Sequence, residues 1–154
     1  MREIKFRAWD KNNKEMIGRE GMNLYTFANL TYNLADVDLL EVMQYTGLKD
    51  KNGKEIYEGD ILKWIYPAGY SLAEVRFGDF DNGEEYEDNE RGIGWYVKEE
   101  SRFTFKNSEQ KNIKVRVYGF KGYPLNTYKH EVIGNIYENP ELLEVKKKEV
   151  LGDE

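Results

Sequence analysis

The chain has 154 residues, with 23 Lys and Arg against 29 Asp and Glu, a net charge of -6, one His and no Cys. That length predicts one domain with a substantial core. The acidic balance argues against a general basic footprint for nucleic acid or anionic membrane, and the lack of Cys excludes disulfides, thiolate metal sites and Cys nucleophiles.

REIKFRA opens the chain with strict alternation. Ile4, Phe6 and Ala8 face one way, and Glu3, Lys5 and Arg7 the other, which predicts a half-buried strand. DKNNKEM, Asp10 to Met16, then interrupts it. Forty residues later the chain nearly repeats itself with DKNGKEI, Asp50 to Ile56. Nothing around the two copies repeats, so a duplicated domain is rejected. Both copies have strand-like flanks and read as exposed, ligand-free hairpin turns. Asn52-Gly53 suggests a type I′ turn, which needs φ > 0 at both central residues. Asn12-Asn13 tolerates that geometry less comfortably.

Residues 18–40 are ambiguous. Leu24, Phe27, Leu30 and Leu34 fit a helical stripe, but the Asn and Thr content makes a poor helix. A tight turn at Glu58-Gly59-Asp60 and the apolar strand ILKWIY follow the second DKN copy. LAEVRFGD, GIGWYV, RFTF, IKVRVYGF and HEVIGNIY supply further alternating segments. With 14% aromatic residues, such segments suit pleated, half-buried surfaces. Near the end, ENPELLEVKKK predicts a short helix with Asn139 as N-cap and Pro140 at its first position. The last residues, 146–154, read as a frayed tail beyond a single domain over 1–145.

Chemical signals are sparse. The acidic stretch DFDNGEEYEDNE offers Asp79, Asp81 and Glu90 at calcium-loop positions 1, 3 and 12. Gly83 occupies position 5 and Glu84 position 6, so a ligand is missing and the sharp turn is displaced. A solvated hairpin loop is expected there, without a metal. RVYGFKGY resembles an RNA-stacking strand through Arg116, Tyr118, Gly119, Phe120 and Tyr123, with Lys114 adding charge. Val117 and Lys121 depart from that pattern, and the two helices that accompany it are missing. His130 reads as structural. Ser71, Ser101 and Ser108 lie in no nucleophile elbow, and Gly92-Ile93-Gly94 lacks the rest of a dinucleotide fingerprint. No cofactor is expected, and no enzyme activity.

Three stretches resemble a known family: REIKFRAWD at the start, YTGLKDKNGKEIYEGDILK over Tyr45 to Lys63, and VIGNIYENPELL over Val132 to Leu143. Together they resemble the YopX family, small proteins encoded by bacteriophages and prophages of Gram-positive bacteria. The resemblance implies a phage or prophage origin and a role in the bacterial cytoplasm. It brings no activity and no functional residues.

The expected fold is therefore mainly β: a small SH3-like barrel or strongly bent antiparallel sheet with hairpin insertions and a short C-terminal helix. No apolar run approaches the roughly 18 residues that span a bilayer, and MREIKFRAWD lacks the apolar segment of a secretory signal. A soluble cytoplasmic protein without membrane contact follows. The expected function is an accessory role through binding of a host or phage protein and through self-association. Sheet edges need covering, and the uncharged run WIYPAGY offers Trp64, Ile65, Tyr66 and Tyr70 as an interface. The alternatives are a nucleic-acid module on the Arg116 to Tyr123 strand and a carboxylate-based hydrolase.

Overall fold

The computed structural model describes residues 3–33, 37–66, 69–81, 91–102, 116–119 and 129–143. The fold is mainly β, as the alternating segments require. Among the described residues, nine strands form two antiparallel sheets. The first, in the order β2-β1-β3-β4, curves into a half-barrel. It contains β1 (Lys5–Asp10), β2 (Glu15–Asn23), β3 (Leu40–Lys49) and β4 (Glu55–Tyr57). The second, in the order β8-β7-β6-β5-β9, contains β5 (Asp60–Tyr66), β6 (Gly69–Asp81), β7 (Arg91–Arg102), β8 (Arg116–Gly119) and β9 (His130–Asn135).

β1 departs from the half-buried expectation. It is an inner strand, paired with β2 on one side and β3 on the other, and both of its faces are covered. Ala8 is fully buried and Phe6 stacks on Phe27, with ring centroids 4.8 Å apart. On the opposite face Arg7 is also buried, because β4 and β5 roof that side.

Both DKN segments do reverse strand pairs, β1 to β2 and β3 to β4. The mechanism is not a type I′ turn. Of Asn52 and Gly53, Gly53 alone has φ > 0, and in the first copy Lys14 takes the left-handed conformation. The shared device is the leading aspartate. Asp10 Oδ1 accepts the N–H groups of Asn12 (2.8 Å) and Asn13 (2.9 Å), and Asp50 Oδ1 accepts those of Asn52 (2.8 Å) and Lys54 (2.9 Å). An aspartate that bonds the backbone two to four residues on mimics a turn, which explains why the sequence repeats. The second copy is anchored further. Asp50 Oδ2 accepts the buried N–H of Val132, and Lys51 N–H donates to the His130 carbonyl.

The ambiguous segment 18–40 resolves into the end of β2, helix α1 (Leu24–Asn33) and a 3-10 turn Val37–Leu39. Asn23 caps α1, its Oδ1 accepting the Thr26 N–H at 2.8 Å. Phe27 and Leu30 are half-buried, Leu24 is exposed, and Leu34 lies outside the described residues. At the other end the expected helix is a 3-10 turn, Pro140–Leu142. Asn139 makes no cap bond; its side chain turns back toward the Asn135 N–H instead. The tail 146–154 lies outside the described residues.

Among the described residues, two apolar clusters hold the sheets together. Ile56, Leu62, Trp64, Ala73, Val75, Trp95, Val97 and Val132 form the larger. Met43, Tyr45 and Tyr57, flanked by Trp9, Met16 and Tyr137, form the smaller under the half-barrel. Each large side chain so buried contributes roughly 1.5–3 kcal/mol. β4 and β5, joined through Glu58-Gly59, carry residues of both clusters and couple the two sheets.

Candidate functional site

Two features stand out against this frame. The first is a charged cleft of about 600 Å³ where the sheets meet. β1 supplies Arg7, and β2 supplies Arg19 and Glu20. β3, β4 and the turn between them supply Lys49, Gly53, Lys54, Glu55 and Tyr57. β5 adds Asp60, and β9 with the turn after it adds Ile133, Gly134, Asn135, Glu138 and Asn139. Arg19 reaches the cleft because β2 bulges. Ala8 pairs with Ile17 and Phe6 with Met22, so Gly18 to Gly21 lie opposite the single residue Arg7. Gly21, at φ +85°, passes under the Tyr57 hydroxyl, which a Cβ there would strike.

Three of the four carboxylates of this cleft, Glu55, Asp60 and Glu138, are committed to donors. Asp60 is 1% exposed; its Oδ1 accepts from Arg7 Nη2 and its Oδ2 from the Tyr57 N–H at 2.8 Å. Burial pushes the Asp60 carboxyl up, against the pull of Arg7. The Arg7 guanidinium also lies over the Tyr57 ring, 4.6 Å from its centroid. Glu55 accepts from Lys5 Nζ and from the Tyr57 hydroxyl, both at 2.7 Å. Burial opposes ionisation of Glu55, but these two donors outweigh it and hold its carboxyl below the usual range. Burial and the neighbouring Glu55 together push the Tyr57 phenol well up. Glu138 takes a bidentate pair from Arg19, at 2.6 and 3.0 Å, and a bond from Asn135 Nδ2 at 2.7 Å. The Arg19 bonds lower its carboxyl.

The second feature is the far end of the β6–β7 hairpin. β5 pairs with β6 only as far as Glu74, and β8 pairs with β7 over Tyr96–Glu99. Beyond those limits Phe77–Asp81 and Arg91–Trp95 pair only with each other among the described residues. At roughly 3.4 Å per residue this ribbon is about 17 Å long. Its core-side face continues the row Val75, Val97, Trp95 outward into Phe77, 55% exposed, and Ile93, 73% exposed. Phe77 meets the Trp95 ring edge-on at 5.0 Å.

The residues singled out in the sequence are scattered. Trp64 is 5% exposed and belongs to the larger core cluster, so it is withdrawn from the candidate interface; alternation in β5 sends it inward and Ile65, 67% exposed, outward. Tyr70 is half-buried, with Lys63 Nζ 4.8 Å from its ring centroid, and the Tyr66 side chain lies outside the described residues. Arg116–Gly119 forms β8 at the edge of the second sheet. Lys114, Phe120 and Tyr123, and the side chains of Arg116 and Tyr118, fall outside the described residues. Asp79 is exposed near the tip of β6, the Asp81 side chain and Glu90 are outside the description, and no metal-ligand group forms among the described residues. His130 packs edge-on against Trp64, 5.0 Å between centroids. No described helix is long and apolar enough to cross a membrane.

Neither feature was identified from chemical motifs. The cleft assembles residues far apart in sequence, such as Arg7 with Asp60 and Arg19 with Glu138. Yet 12 of its 14 lining residues, all but Arg19 and Glu20, fall in the three stretches that resemble the YopX family. The YopX protein family profile matches residues 5–144. The chain belongs to the YopX family. Among solved structures, this chain matches the crystal structure of protein EF1440 from Enterococcus faecalis. That chain is 25% identical, the match covers 92% of this chain and 98% of that one, and the TM-score is 0.40. No curated protein matches. The three family-bearing stretches of this YopX chain thus converge on one cleft, whereas the β6–β7 arm lies in the segment between them.

Proposed function

We propose that this YopX-family chain is a phage or prophage accessory protein of the bacterial cytoplasm, acting by protein–protein binding and first of all by self-association. One observation carries the reading: the apolar core face of β6–β7 outruns its core, leaving Phe77 and Ile93 exposed on a projecting ribbon. An isolated two-stranded ribbon is marginal in water, and two exposed apolar side chains beside strand edges that pair with nothing else among the described residues favour a covering partner. A second copy fits best. A two-fold contact must be complementary to itself, which the apolar pair Phe77 and Ile93, with the one carboxylate of Asp79 opposite Ile93, meets more readily than a one-sign charged patch does.

Binding without catalysis accords with the cleft, where Glu55, Asp60 and Glu138 are each held by cationic or hydroxyl donors. The net charge of -6 accords with a protein partner rather than nucleic acid.

The test is mass by light scattering after size exclusion, at tens of micromolar, for the wild type and Phe77→Asp/Ile93→Asp. The wild type is expected at twice the 18.2 kDa chain mass and the double variant, with an unchanged circular dichroism spectrum, at 18.2 kDa. A wild type that stays at the single-chain mass overturns self-association. An oligomer that survives both charges overturns the arm as its interface.

A further inference from the structure

We propose that the charged cleft binds a small molecule or chain end through an oxyanion, phosphate or carboxylate, held by Arg7, Lys49 and Lys54. The argument is a count of donors and acceptors. The cleft's walls hold four cations and four carboxylates, so its formal charge is balanced. Its hydrogen bonding is not. All six oxygens of Glu55, Asp60 and Glu138 already accept a protein donor. Glu20 is the remaining acid, and its side chain is exposed.

The cations are less committed. Arg7 directs one nitrogen to Asp60, while its buried Nε has no hydrogen-bond partner among the described residues, although the side chain is 7% exposed. Lys49 and Lys54 act on Glu55 and Asp60 through charge, but their ammonium groups make no hydrogen bond or ion pair among those residues. Surplus donors from a buried guanidinium and two flanking ammonium groups match an incoming oxyanion, which supplies acceptors only. A cleft of about 600 Å³ also exceeds what a bare phosphate fills and lies within the usual range for small-molecule sites. Its polar walls fit a hydrophilic ligand. The three family-bearing stretches converge on this cleft.

The test is calorimetric titration of the full chain with pyrophosphate and, separately, with citrate, at constant ionic strength. One saturable event per chain is expected with at least one probe. Pyrophosphate alone assigns a phosphate ligand, citrate alone a carboxylate ligand, and both assign the shared oxyanion chemistry. Lys49→Ala/Lys54→Ala, both exposed positions, is expected to weaken binding by roughly tenfold or more, the scale of one lost charge-assisted hydrogen bond. Lys63→Ala/Lys98→Ala removes the same charge from the second sheet and is expected to leave affinity unchanged. Absence of saturable binding by either probe overturns the proposal. So does an affinity that falls equally in both double variants, or in neither.

Discussion

Replacing Asp60 by Asn removes a charge from a site that is 1% exposed and leaves Arg7, 6% exposed, without its carboxylate. The substitution keeps an oxygen for the Tyr57 N–H, so it isolates the ion pair. Burial already holds the Asp60 carboxyl above its usual range, so the pair itself adds little net stability. The cost of breaking it comes from the stranded cation, and for a buried pair it is about 3–5 kcal/mol. A guanidinium cannot shed its proton to escape. Spread over 154 residues, that loss lowers the Tm by roughly 6–20 °C. The converse variant, Arg7→Met, strands an acid that can neutralise itself by protonation, so it costs less than Asp60→Asn, and less still as the pH falls. Arg7→Met/Asp60→Asn recovers at least half of the Asp60→Asn loss. Urea unfolding at neutral pH, with m-values compared, measures all three. An Asp60→Asn loss within about 1 kcal/mol of zero, or a double variant whose losses simply add, refutes the reasoning.

Asp50→Ala is expected to cost about 2–4 kcal/mol, because it strands the buried Val132 N–H as well as two turn amides, while Asp10→Ala, which frees only its own turn, costs less; thermal unfolding ranks the two. Gly21→Ala combines φ +85° with a clash against the Tyr57 hydroxyl and is expected to destabilise by about 1–3 kcal/mol, read from the urea midpoint. Arg19 holds the Glu138 carboxyl below its ordinary 4.5, so the stability gap between wild type and Glu138→Gln is full above that pH and closes as pH falls through the depressed value. A gap that stays constant through acid titration contradicts this.

Much of the architecture was legible because alternation at period two is a local signal. It marked β1, β6, β7 and β9, and the Asp-Lys-Asn segments announced their own turns. The turn type was not legible: Asn-Gly suggested two left-handed residues, but the aspartate before it outcompeted that geometry by bonding the backbone itself. Arg7 read as a solvent-facing residue because pattern alone cannot tell that a second layer will cover the polar face of a strand. Helix α1 ran against its Asn and Thr content, since an Asn23 cap and the stacking of Phe27 on Phe6 outweigh weak propensity. Trp64 and Ile65 looked equivalent in an apolar run, and only the strand's pleat separated a core residue from an exposed one. The cleft stayed hidden because its ion pairs join residues 53 and 119 positions apart, although the family-bearing stretches marked nearly all of its walls.

The chain has no Cys, so one introduced thiol reports a single position. Ile93→Cys sits on the exposed apolar row of the β6–β7 arm, and Ile65→Cys sits at a similarly exposed position off it, 73% and 67% exposed in the wild type. The most direct measurement of arm-mediated self-association is the yield of disulfide-linked dimer after mild oxidation of each variant, followed by non-reducing electrophoresis across a dilution series. The account predicts efficient crosslinking through position 93 that persists on dilution, and slow, concentration-driven crosslinking through position 65. Equal yields from the two positions, or the reverse order, would contradict it.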